Sequence, residues 1–312
     1  MRMIVTSYPE PDLDGTACSF AYAEYLNKTG TEAGYTWYGN PKTEVEIVCN
    51  LFGINLDNIE KILPNNEIVI TDTNALRMLA PDVIIENVVE IIDHHPMIDG
   101  TKIEDFGNRK MQIEEVGAAA TLVAERFKEN GIMPSRESAI LLYYAIVSNT
   151  INFKANVTTD RDANISEWLE GLYEEITKEK IKEIFVAKSK LGNRLEDELE
   201  ATFTVSYKKE NWVIGQIEMV DVEKFILENR ERLSRALISK KEEFNANYIF
   251  LNGMDIFNGN TVMFSIDDET EKELEELLNI KFLNRISKLD YLIMRKEIIR
   301  KMMENEKGEK NA

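Results

Sequence analysis

Three short apolar runs in the first third of the chain each lead into acids or histidines. MIVT, at residues 3–6, leads into a YPEPDLDG turn that carries Asp12 and Asp14. EIVITDT, at 67–73, ends around Asp72, and VVEIIDHH, at 88–95, ends on Asp93, His94 and His95. Helical patterns stand between and after these runs. They include TACSFAYAEYLNK, VEIVCNLFG behind a strand-like Trp37-Tyr38, and VGAAATLVAERFKENG, closed by Gly131. SAILLYYAIVSNT and a segment from Asp160 to Leu172, starting behind Thr158 and Thr159, continue the pattern. Strands alternating with helices predict an α/β fold with a mostly parallel sheet and helices on both faces. In open parallel sheets ligands bind outside the carboxyl ends of the strands. Three such ends side by side gather four carboxylates and two imidazoles in one crevice.

Carboxylates a few ångströms apart repel one another, so some protonate or cations neutralise them. Mixed carboxylate and imidazole ligation suits Mn²⁺, Fe²⁺ or Co²⁺, and less strictly Mg²⁺ or Zn²⁺. Two ions about 3.5–4 Å apart, bridged by a carboxylate, would polarise a phosphoryl oxygen and generate hydroxide at neutral pH. Each residue taken singly has a simpler reading. An Asp in PDLDG forms a turn, Asp72 caps a helix, and the histidines pack with satisfied ring nitrogens. Only the shared strand context of all three segments favours a metal site.

At 312 residues the chain is too long for one ordinary core, which predicts about two domains. Residues 1–180 form the metal-binding one and 201–312 the second, with a charged helical linker over 181–200. In the second half TFTVSY and WVIGQIEMV alternate like strands, as do NYIFLNGMDI and TVMFSID. DVEKFILENRERLSRALISKKEEF predicts one long amphipathic helix with Asp221 as its N-cap. DETEKELEELLN predicts a helix with acids in its first turn, where the dipole favours them. The basic end, from about Asp290, reads as helical or irregular, and GEKNA frays.

The net charge of −19 repels nucleic acid phosphates and argues against a duplex-binding face. Two cysteines are no disulfide framework, which predicts a reduced, cytoplasmic protein. No signal-peptide core and no apolar run of membrane-spanning length is present. The histidine count is two, and they are adjacent, which concentrates the chemistry on one spot.

These segments closely resemble the motifs of the DHH phosphoesterase superfamily. PDLDGTACS resembles the first, DTN at 72–74 the second, and DHHP at 93–96 the third, followed by VGAAAT at 116–121 and AIVSNTINFKANVTTDRDA at 145–163. GQIEMVD at 215–221 and MRKE at 294–297 resemble a DHHA2 second domain. That pairing resembles the family II, manganese-dependent inorganic pyrophosphatases and the related exopolyphosphatases. The resemblance implies a smaller α/β second domain and an active site in the interdomain cleft. It implies two ions per site, Mn²⁺ with Mg²⁺ and Co²⁺ as alternatives. Asp12 would bind the first, Asp14 and His94 the second, and Asp72 both. Asp93 and His95 would orient ligands, contact substrate or relay a proton. Arg295 and Lys296 would grip phosphate, swinging over the metals on domain closure, and a homodimer is implied by analogy.

Two positions depart from the family pattern. Tyr8 stands where the pyrophosphatases have a metal-binding histidine, and Asn149 where they have an aspartate ligand. Asn149 can still ligate through its carbonyl oxygen, but without charge. The implied reaction is hydrolysis of a phosphoanhydride, pyrophosphate first and short polyphosphate next. The alternatives are a phosphoesterase acting on a nucleotide-like or other small phosphoester, and a metal-poor relative that binds a phosphorylated ligand.

Overall fold

The computed structural model describes residues 2–75, 79–97, 107–189 and 203–310, and the chain divides into two compact units, Met1–Ile184 and Phe185–Ala312. The larger part of the expected linker, from residue 190 on, lies outside the described residues.

In the first unit the strands are β1 (Met3–Thr6), β2 (Ala33–Tyr35), β3 (Glu67–Thr71), β4 (Val88–Asp93) and β5 (Lys110–Ile113). They form a parallel sheet in the order β2-β1-β3-β4-β5. The helices are α1 (Leu13–Lys28), α2 (Thr43–Phe52), α3 (Ala119–Glu129), α4 (Arg136–Asn149) and α5 (Asp160–Glu170); α6 (Lys178–Lys188) runs across the division between the units. Helices α1, α3 and α4 pack on one another, and α1 and α3 lie against the sheet. Small buried residues on α1, Ala17, Cys18 and Ala21, permit that close packing. Ile4, Ile68, Ile70 and Ile91 project together into a core cluster with Ala80 and Val83.

The sequence-predicted strands β1, β3 and β4 are present, each parallel to its neighbour, so their carboxyl ends lie along one edge. Trp37 and Tyr38 are not in a strand. β2 ends at Tyr35, although Thr36 N still donates to Val5 O at 3.0 Å. Strand β5, KMQI, was not expected, since its alternating polar residues carry no apolar run.

A buried acid ties the start of α3 to the start of α5. Asp162 and Thr159 form a capping box at the N-terminus of α5. The same Asp162 carboxylate accepts from Gly117 N at 3.0 and 2.9 Å and from Thr121 Oγ1 at 2.6 Å. Only glycine fits at 117, because a Cβ there would lie 2.4 Å from Thr150 Cγ2.

The second unit is a mixed sheet in the order β10-β9-β8-β7-β6. Its strands are β6 (Phe203–Tyr207), β7 (Glu210–Met219), β8 (Tyr248–Asp255), β9 (Asn260–Ser265) and β10 (Ile286–Leu289). Helices α7 (Val222–Glu228) and α8 (Arg230–Glu243) cover one face through Val222, Ile226, Leu233 and Leu237. Helices α9 (Asp268–Leu278) and α10 (Arg295–Lys310) cover the other through Leu274, Ile298 and Met302. The single long helix expected from residue 221 is two helices, parted at Asn229, whose ψ of 18° is not helical. Asp221 does not cap with its side chain; it is held left-handed at φ 56°, and its N–H donates to Asp255 Oδ2 at 3.0 Å.

Asp162→Ala removes the acceptor for the Gly117 and Thr159 N–H groups together. It is expected to destabilise the protein by about 3 kcal/mol or more, read by chemical denaturation. A change under about 0.5 kcal/mol would show that this carboxylate is not the tie between α3 and α5.

Candidate metal centre

The strand order reverses direction between β1 and β3, which is where open α/β sheets open a crevice beyond their carboxyl ends. Asp12, Asp14, Asp72, Asp93, His94 and His95 all follow or end strands at this edge. Asp12 is the N-cap of α1; its Oδ1 accepts from Asp14 N at 3.0 Å and Gly15 N at 3.2 Å. Its Oδ2 lies 3.7 Å from Lys42 Nζ.

Asp14, in the first turn of α1, is wholly buried. Ala119 N and Ala120 N, at the start of α3, donate to its Oδ2 and Oδ1, each at 2.8 Å. Asn149, the last residue of α4, donates its Nδ2 to Asp14 Oδ2 at 2.7 Å. As a metal ligand Asn149 would turn its carbonyl oxygen inward instead. The Cys18 thiol, one helical turn beyond Asp14, lies 3.4 Å from Oδ1. The N-terminus of α3 and the end of α4 thus hold this carboxylate rigidly.

Asp72 follows β3 in a left-handed conformation, φ 59°, with its N–H donating to Ile92 O at 2.8 Å. A left-handed non-glycine residue costs of order 1–3 kcal/mol, and such strain clusters at functional sites. The side chain is buried, and among the described residues its Oδ1 has no hydrogen-bond partner. His94 Nε2 is likewise buried without a partner and lies 3.4 Å from Asp72 Oδ1 and 3.8 Å from Asp14 Oδ2. His94 Nδ1 is tied to Val116 O at 3.0 Å, which aims Nε2 at the two acids.

Asp93 does not face this gap. Its Oδ1 accepts from His94 N, His95 N and His95 Nδ1 at 2.8, 3.1 and 2.8 Å, and its Oδ2 from Asn74 Nδ2 at 2.7 Å. It therefore fixes the His95 ring and holds the backbone of both histidines. With Nδ1 committed to Asp93, His95 keeps Nε2 available, and more than half of its side chain is exposed. Asn74 lies in the DTN segment but had no predicted role; an amide two residues behind a candidate ligand was the signal.

Donor atoms from Asp72, His94 and His95 all lie within 4.8 Å of one another. Burial pushes Asp14 and Asp72 above the ordinary carboxylate range, and for Asp72 the neighbouring Asp14 and Asp12 charges add to it. The hydrogen bond to Asp93 raises His95. The Tyr8 phenol is also raised by burial, so it is neutral; its oxygen accepts from Asp12 N at 3.2 Å. Two buried, unpartnered acceptors facing each other across 3.4 Å fit a divalent cation, which would be bound by both and would offset the clustered charge.

Arg295 and Lys296 are in the second unit, in the first turn of α10. Arg295 N donates to Gln216 Oε1 at 2.7 Å, Arg295 is half-buried, and Lys296 is exposed.

Residues 2–146, all within the first unit, match the DHH family, N-terminal domain. The relatives of the whole chain are more particular. The chain is 28% identical over 276 residues to a Clostridium acetobutylicum protein named "Probable manganese-dependent inorganic pyrophosphatase", covering 86% of each chain. It is 26% identical over 303 residues to the manganese-dependent inorganic pyrophosphatase of Bacillus subtilis strain 168, covering 95% of this chain and 96% of that one. A Methanococcus jannaschii crystal structure assigned to the family II inorganic pyrophosphatases shares the fold, with a TM-score of 0.64 at 23% identity over 97% of this chain and 100% of that one.

The raised carboxylates and His95 give a pH dependence whose sign is fixed. In chelator-treated protein the folded state holds protons that the unfolded state releases, so stability falls as pH rises from about 5 to 8. Carboxylates with lowered values are ionised in both states across that window and leave the slope alone. Denaturation at the two pH values should show the fall, and Asp72→Asn should reduce it. Equal or greater stability at the higher pH would contradict the proton assignment.

Proposed function

We propose that this protein is a metal-dependent phosphohydrolase that cleaves a phosphoanhydride, with inorganic pyrophosphate as its substrate and short polyphosphate next. The observation that carries the reading is the facing pair of unpartnered buried acceptors, Asp72 Oδ1 and His94 Nε2. The relatives named as manganese-dependent inorganic pyrophosphatases, matched over most of their length, support both the reaction and the metal.

In this reading Asp12, Asp14, Asp72 and His94 hold two divalent cations, Mn²⁺ with Mg²⁺ or Co²⁺ as alternatives, and Asn149 is a neutral addition to the set. Such cations polarise a phosphoryl oxygen and lower the pKa of bound water. The chain's own groups do the rest. Asp93 fixes the tautomer of His95, so that Nε2 is the atom that faces substrate or carries a proton. The backbone amides of α3 keep Asp14 ionisable despite its burial. Arg295 supplies a planar fork and Lys296 a point charge for the phosphate oxygens.

The wider assignment goes with it: a DHH domain over 1–180, a linker over 181–200 and a DHHA2 domain over 201–312. A cytoplasmic setting is supported by the scarcity of cysteine, and no helix among the described residues is long and apolar enough to cross a membrane. A homodimer is the assembly implied by the resemblance. Asn149, occupying Asp14 Oδ2 with its amide, and the neutral Tyr8 favour the second reading, a metal-poor phosphate-ligand binder with little turnover.

Purified protein loaded with Mn²⁺ is expected to release phosphate from pyrophosphate, and Asp72→Asn to lower kcat by about a hundredfold or more. Asparagine tolerates the left-handed backbone at 72, so the variant tests the charge rather than the fold. Hydrolysis of neither pyrophosphate nor tripolyphosphate above the chelator-treated control would sink the substrate assignment. Phosphate binding without hydrolysis would favour the second reading.

A further inference from the structure

The face of the second sheet covered by α10 is largely apolar but carries polar side chains, among them Gln216, Asn252 and Thr261 on its three central strands. Trp212, Ile214, Phe250 and Met263 build the core on that face. By strand alternation Gln216, Asn252 and Thr261 belong to the same face, and Gln216 and Asn252 are direct register partners on β7 and β8. Asn252 and Thr261 have no solvent exposure. An amide and a hydroxyl at the centre of a sheet are unfavourable unless paired, and valine or leucine would pack there without that cost.

All three direct hydrogen bonds to one short segment. Thr261 Oγ1 donates to Tyr291 O at 2.9 Å and accepts from Ile293 N at 3.0 Å. Asn252 Nδ2 donates to Ile293 O at 2.8 Å. Gln216 Oε1 accepts from Arg295 N at 2.7 Å. The backbone from residue 291 to 295 is thereby held from three adjacent strands, and it delivers Arg295 and Lys296 at the start of α10. Among the described residues Asn252 Oδ1 is left buried without a hydrogen-bond partner, as are Trp212 Nε1 and Ser287 Oγ on the same face.

We propose that Gln216, Asn252 and Thr261 are positioning residues that set Arg295 and Lys296 for the substrate phosphate. This rests on the reading of Arg295 and Lys296 as the substrate grip. A fork that must meet phosphate oxygens bidentately loses much of its effect when its backbone shifts by an ångström.

The test compares Thr261→Val, which keeps the shape and removes the hydroxyl, with Thr261→Ser, which keeps the hydroxyl. Gln216→Met removes the acceptor of Arg295 N at a half-buried position and serves where Thr261→Val fails to fold. Arg295→Ala runs beside them. The readouts are KM for pyrophosphate (or the dissociation constant of imidodiphosphate where turnover is slow), Mn²⁺ affinity and thermal midpoint. The expected result is a KM raised about tenfold in Thr261→Val and Gln216→Met, with Mn²⁺ affinity unchanged and Thr261→Ser close to wild type. Wild-type KM in both variants while Arg295→Ala raises it overturns the positioning role alone. Wild-type KM in Arg295→Ala overturns the substrate grip, and the positioning role with it.

Discussion

A carboxylate oxygen and an imidazole nitrogen, both buried and both without a hydrogen-bond partner among the described residues, face each other across 3.4 Å at Asp72 and His94. Proteins avoid leaving such groups unpaired, because each has lost its water and gained nothing in exchange. The surrounding scaffold makes the pairing deliberate. Val116 O turns the His94 ring, and the β4 carbonyl of Ile92 holds the Asp72 backbone in its left-handed turn. Asp14 is then brought to 3.8 Å from the same nitrogen by the first turn of α1. A cation is the group whose chemistry satisfies all three at once.

The rest of the first unit serves to place those atoms. Parallel pairing of β1, β3 and β4 brings their carboxyl ends to one edge, and the reversal of strand order opens the gap there. Small residues on α1 let α3 and α4 approach closely, and the amides of Ala119 and Ala120 then reach Asp14. Asp162, which lies in none of the strand-end motifs, ties down the loop at Gly117 that leads into α3. The structural acid and the candidate ligand acid are thus linked through one helix N-terminus.

Much of the first unit was legible in the sequence because its signals are local. Apolar runs of strand length gave β1, β3 and β4, and the acids and histidines that end them marked the candidate site. Other elements lacked a local signal. β5 reads Lys-Met-Gln-Ile, and its place comes from pairing with β4, a long-range contact that spacing does not encode. Trp37 and Tyr38 have strand propensity, yet Tyr38 is about half exposed beyond the end of β2. The break at Asn229 leaves no glycine or proline to mark it. The α3 amides had no signal, because backbone N–H groups carry no residue identity, and Asn74 offered only its place two residues behind Asp72. Asp12, expected as a metal ligand or a turn former, is the cap that starts α1.

In the proposed function Asp72 Oδ1 and His94 Nε2 share a divalent cation. Crystals grown with Mn²⁺ and an imidodiphosphate analogue, measured at the manganese absorption edge, test it directly. An anomalous peak is expected about 2.0–2.3 Å from both atoms, within reach of Asp14. An anomalous map with no peak between them, or with manganese bound only at surface carboxylates, would contradict it.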